Sequence, residues 1–160
     1  MVARKTLQLT VDVPADPQTV FDAMTDWDAQ HEWMLGTAVE GREQEGRGVG
    51  GTFAAFTGIG PLGFWDPMTI TRWDAPHVVE VDHDGTVVRG IGIFRVERLG
   101  AGSRFVWREE IDLPLGRLGR MGWPIVKPLL AAGVALSLRR FARFAAARTP
   151  SGVQNTSPAG

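Results

Sequence analysis

From Thr37 to Leu113 the chain falls into six short runs in which apolar and polar residues alternate. They are divided by turn chemistry: Gly46 to Gly51, Gly58 to Gly60, Asp74-Ala75-Pro76, Asp84-Gly85 and Gly100 to Gly102. Alternation with period two is the mark of a strand with one buried face, and short connections leave room only for antiparallel neighbours. An earlier run, Leu7-Leu9-Val11-Val13, alternates in the same way and stops at Pro14. Seven strands are therefore expected, the last six at 37–44, 51–57, 63–73, 77–84, 87–96 and 103–113. Asp84-Gly85 is the clearest hairpin signal among them.

Two short helices are expected after the first strand. Asp16 is placed to cap the first, Pro17 suits its first position, and Val20, Phe21 and Met24 recur at helical spacing. The second spans Trp27 to Met34 and ends at Gly36. Beyond Pro114 a Gly/Arg/Leu linker leads to a long helix over Ile125 to Arg148, with Val126, Leu130, Val134, Leu138, Phe141 and Phe144 facing inward. Strands that run together between helices are α+β, so a curved seven-stranded antiparallel sheet should bury the stripe of one long C-terminal helix. At 160 residues the chain suits one domain, 1–148, followed by a polar tail, 149–160, that is expected to be disordered.

Composition narrows the chemistry. With no cysteine there is no thiol nucleophile, redox pair or thiolate zinc site, and with no tyrosine one acid catalyst is gone. The three histidines, His31, His77 and His83, fall on different elements without ligand spacing, so no metal and no cofactor are expected. Gly58-Ile59-Gly60-Pro61-Leu62-Gly63 spells a dinucleotide fingerprint, but a proline interrupts it and a strand, not a helix, follows, so it reads as a loop between strands. All 18 acids lie in residues 1–112, and the seven Lys/Arg of 113–160 face no acid there. We read that basic block as the solvated face of the last helix and expect no nucleic-acid partner. The N-terminus alternates rather than forming an apolar signal segment. The charge-free part of the last helix is 11 residues, short of a membrane span. A cytoplasmic protein without an integral membrane segment is expected, as a monomer or homodimer, with transient membrane contact through the basic helix left open.

Strand parity then sorts the polar residues. Phe64, Met68 and Ile70 bring Asp66 inward, and Val79 with Val81 brings His83. Phe105, Trp107 and Ile111 bring Glu109 inward, while Val88, Phe94 and Val96 do the same for Gly90 and Gly92, whose missing side chains would leave space. Three titratable groups, Asp66, His83 and Glu109, thus converge on one apolar interior. Burial can shift such groups into the range useful for acid–base work, so they are the candidate catalytic residues. Trp33, Phe64, Met68, Val81, Gly90, Gly92, Phe94, Trp107, Leu130 and Val134 are the expected ligand wall, and Trp73 is expected to be structural.

Three segments, VDVPADPQTVFDAMTDWDAQHEW, WDPMTITRWDAPHVVEVDHDG and VVRGIGIFRVERLGAGSRFVWREEIDLPLG, together with the long helix, resemble the START-like (SRPBCC, helix-grip) superfamily. The likeness is greatest to its bacterial polyketide cyclase/dehydrase-type members and covers residues 5–148. These are framework segments, so they speak for the fold more than for an activity. The resemblance implies a deep, mainly apolar cavity between sheet and helix, holding a hydrophobic lipid- or polyketide-like molecule. Two alternatives stand beside that reading: a cyclase or dehydratase using Glu109 and His83 as acid and base, and an interaction module at a membrane surface or partner protein.

Overall fold

A computed structural model describes residues 4–59, 61–112 and 116–148, with side chains described outside Ile59 and 116–120. The expected tail 149–160 and Gly60 of the glycine loop lie outside the described residues. In chain order the elements are β1 (Arg4–Val13), α1 (Pro17–Met24), a 3-10 turn (Gln30–Glu32), β2 (Thr37–Gly41), a second 3-10 turn (Glu43–Gly46), β3 (Thr52–Ile59), β4 (Leu62–Asp74), β5 (Val78–His83), β6 (Gly90–Leu99), β7 (Gly102–Asp112) and α2 (Gly116–Ala146). The strands form one antiparallel sheet in the order β1-β7-β6-β5-β4-β3-β2. It curves around the C-terminal half of α2, an α+β helix-grip architecture.

The N-cap works as the sequence indicates. Asp16 Oδ1 accepts from the backbone N–H of Gln18 at 3.0 Å and of Thr19 at 3.1 Å, while its Oδ2 accepts the Thr19 hydroxyl at 2.6 Å. The expected second helix over 27–34 is reduced to the turn Gln30–Glu32. Trp27 is held elsewhere, with Nε1 donating to the Gly46 carbonyl at 2.8 Å and its ring stacked on Phe53 at 4.2 Å, so the segment bends instead of continuing.

Other boundaries shift for local reasons. β2 stops at Gly41, because Gln44 and Glu45 take left-handed φ values of 52° and 54°. β6 starts at Gly90 rather than 87, leaving 84–89 as the β5–β6 connection. A register shift between Ile70 and Arg72 reverses the parity of β4, which is how Trp73 comes to face the core edge-on to Phe21 at 5.3 Å. The linker expected before Ile125 is helical: α2 begins at Gly116 and runs through Pro124 and Pro128. Proline's fixed φ is itself helical, so each ring removes a backbone donor without ending the helix here.

The core lies where the sheet meets the C-terminal half of α2, around Leu138, Phe141 and Ala145, against Val20, Phe21, Val79, Val96 and Phe105. The expected inward stripe holds only over that half. Val134 and Phe144 are partly buried, whereas Val126 is 52% exposed and Leu130 37%. The first half of α2 extends past the sheet.

Gly90 shows how tightly β6 and β7 are laid together. Its φ is +142°, and a Cβ there would stand 2.0 Å from the Glu110 carbonyl oxygen. Gly90→Ala should therefore lower stability by on the order of 2 kcal/mol or more in urea denaturation. An unchanged midpoint would show that the strands part easily at this point.

Candidate ligand cavity and its hydrogen-bonded triad

A cavity of about 410 Å³ opens between the concave face of the sheet and α2. That is within the usual range for small-molecule sites. Its wall is mostly apolar and aromatic, with Trp27, Trp33, Phe53, Phe64, Phe94 and Trp107 among the lining residues. Trp107 meets Phe94 edge-on at 5.0 Å and Trp33 at 6.2 Å, and Trp33 meets Phe141 at 4.8 Å, so the rings brace one another.

Asp66, His83 and Glu109 line this cavity together, one from β4, one from β5 and one from β7. His83 stands between the two carboxylates: Nδ1 is 2.7 Å from Asp66 Oδ2, and Nε2 is 3.0 Å from Glu109 Oε2. The second Glu109 oxygen accepts the Trp107 Nε1–H at 2.6 Å, two residues back on the same strand face. All three titratable side chains are about nine-tenths buried. An imidazole can donate from both nitrogens only as the imidazolium. Burial by itself would push the His83 pKa down, but the hydrogen bonds to Asp66 and Glu109, with their negative charges, outweigh it and raise the pKa from 6.5 to about 10.

His83 and Glu109 are not on neighbouring strands; β6 runs between them. The positions of β6 that pair with them are glycines, with His83 opposite Gly90, and Gly92 opposite both Val81 and Glu109. A Cβ on Gly92 would come within 3.3 Å of His83 Nε2 and 2.9 Å of Val81. This revises the expected wall. Gly90, Gly92 and Val81 do not line the cavity: Val81 is fully buried in the sheet, Gly92 makes room for the bond between His83 and Glu109, and Gly90 lets β7 approach closely at Glu110. Trp33, Phe64, Met68, Phe94, Trp107, Leu130 and Val134 do line it.

Leu7, Gln30, Phe53 and Phe105, with Gly133 and Ser137 on α2, also line the cavity, although the expected ligand wall does not include them. Strand alternation already turns Phe105 inward beside Trp107, and the same alternation that marks Phe64 and Phe94 is the signal for Phe53. Gln30 sits in a turn where no period applies. Among the described residues, buried side-chain atoms without a protein hydrogen-bond partner are Gln30 Oε1, Trp33 Nε1 and Asp66 Oδ1, and all three belong to the cavity wall. Each such atom costs about 1–3 kcal/mol, a cost that tends to be tolerated at sites serving function rather than stability.

The sequence matches the model of the family described as polyketide cyclase / dehydrase and lipid transport over residues 4–146. The chain belongs to that family. Among solved structures, it is similar to TTHA0849 of Thermus thermophilus, at 14% identity and a TM-score of 0.75, covering 88% of this chain and 97% of that one. It is likewise similar to the Zhui aromatase/cyclase of Streptomyces sp. R1128, at 16% identity and a TM-score of 0.72, covering 89% and 94%. A Chromobacterium violaceum protein, CV1439, follows at 15% identity and a TM-score of 0.67, covering 89% and 99%. At these identities the likeness speaks to the fold. No curated protein matches the sequence. Family membership and the observed cavity together support a hydrophobic-ligand or cyclase role for this polyketide cyclase/dehydrase-type protein.

His83 ties pH to stability. Its folded pKa lies above its ordinary value, so the folded state holds a proton that the unfolded state releases between pH 6.5 and about 10. The contribution is complete below pH 6.5 and is lost as pH rises through about 10, at up to roughly 1.4 kcal/mol per pH unit. Urea denaturation across that window should show wild-type stability falling more steeply than that of His83→Gln. Parallel profiles would mean that His83 is neutral in the folded protein.

Proposed function

We propose that the protein binds a flat, apolar small molecule bearing an oxygen function, with its apolar body among the aromatic rings and its polar end at the Asp66–His83–Glu109 triad. The observation behind this reading is that a mostly apolar cavity has its charged groups gathered at one place rather than spread around the wall. Apolar surface supplies affinity, and a single polar locus supplies orientation. Lipid-like and polyketide-like molecules both fit this description.

The triad also favours a second reading, acid–base catalysis of the cyclase or dehydratase type. Both imidazole nitrogens of His83 are engaged by carboxylates, so a ligand would exchange protons with Asp66 or Glu109, while His83 holds the proton and orients them. That assigns His83 a positioning role. The Zhui protein is an aromatase/cyclase, which gives the reading a precedent on the same fold.

Native mass spectrometry of gently purified protein should show a defined hydrophobic adduct that is released on denaturation, and 2-naphthol should quench tryptophan fluorescence saturably. A clean unliganded mass together with linear, non-saturating quenching would contradict ligand binding. Once a ligand is known, Glu109→Gln separates the two readings. A carrier keeps nearly all its affinity, whereas an enzyme using Glu109 as acid or base loses on the order of 10² or more in rate.

A further inference from the structure

The solvent face of α2 is apolar where a surface helix is ordinarily polar. Met121, Ile125, Leu129 and Leu136 recur at helical spacing along one stripe, and they are 75%, 70%, 71% and 48% exposed. Pro124, Pro128 and Ala132, which fall beside this stripe, are exposed as well. At 1.5 Å per residue the strip from 121 to 136 is about 22 Å long. The same face continues into Arg139 and Arg143, both exposed, and the sequence from 113 to its end contains no acid against seven Lys/Arg. A patch of this kind, apolar and continued by cations at one end, marks a surface that something covers.

We propose that this face of α2 lies on an anionic lipid surface, with the apolar strip in the headgroup–acyl boundary and the arginines against the headgroups. Two features of the molecule favour lipid over other occupants. The first is charge. A second copy of the chain packed strip to strip, parallel or antiparallel, offers Arg139 and Arg143 no acid from its own α2, because the sequence from 113 onward contains none. An anionic bilayer supplies the counter-charge that a second α2 lacks.

The second is position. Leu35, Leu129 and Leu130 line the cavity and are also exposed, so the cavity mouth opens beside the strip. A helix resting on lipid would set that mouth at the boundary where apolar ligands partition. Met121–Ala146 is long and apolar enough to cross a bilayer by length and composition. But its second half supplies Leu138, Phe141 and Ala145 to the core, so the helix can lie on a membrane without unfolding the protein but cannot span one.

The test uses the full chain with sedimented vesicles of phosphatidylcholine alone and of phosphatidylcholine mixed with phosphatidylglycerol. Wild type is expected to bind the anionic vesicles, to bind the neutral ones much more weakly, and to be released by high salt. Met121→Gln with Ile125→Gln, two exposed positions outside the cavity wall, should weaken binding at least tenfold while leaving thermal stability and 2-naphthol quenching unchanged. Those two controls separate failure of this surface from failure of the ligand reading. Absence of vesicle binding by wild type overturns the proposal, and so does undiminished binding by the double variant. A dimer in light scattering that the double variant dissolves, without vesicle binding, would assign the face to a second copy instead.

Discussion

One hydrogen-bonded chain, Asp66 to His83 to Glu109 to Trp107, joins β4, β5 and β7 across the concave face of the sheet. The rest of the site is arranged around it. The bond from His83 to Glu109 must pass over β6, and it can do so because Gly92 presents no side chain there. Trp107, fixed through its indole N–H, presents its ring to Phe94, Trp33 and Phe105, so the orientation of the aromatic wall is coupled to the buried charges. Three ionisable groups placed in an apolar interior would be costly if any were left alone. Here each nitrogen of the imidazole meets a carboxylate, and Asp66 Oδ1 is the one carboxylate oxygen of the triad without a protein partner.

The architecture divides α2 into two halves with different work. Leu138, Phe141 and Ala145 complete the core, and Ser137 reaches back to β2's approach by accepting the backbone N–H of Leu35 at 3.1 Å while donating to the Gly133 carbonyl at 3.0 Å. From Ser137 toward the N-terminus the helix first walls the cavity through Val134, Gly133, Leu130 and Leu129, then leaves the sheet altogether. The result is a cavity closed at its base by packed side chains and bordered at its mouth by an exposed apolar helix.

Much of this was legible in the sequence because a strand's period of two leaves little freedom. Once Phe64, Met68 and Ile70 were on the inner face, Asp66 had to be there too, and the same logic placed His83 and Glu109. What parity could not reveal was the relation between strands. That Gly92 clears a path for a side-chain bond, instead of enlarging the cavity, depends on β6 lying between β5 and β7. Trp73 turned inward through a bulge that alternation alone does not announce. The inward stripe of α2 departs from its period for a similar reason. Val126 and Leu130 repeat at the spacing of core residues, but whether a sheet extends far enough to cover them is a property of the whole fold.

The central claim is that His83 is held as an imidazolium between two carboxylates. Nitrogen NMR of protein labelled at histidine reads this directly. Both His83 ring nitrogens should bear protons at pH 7 and stay so until the pH approaches about 10. A neutral ring with one bare nitrogen at pH 7, or a titration near the ordinary 6.5, would contradict it.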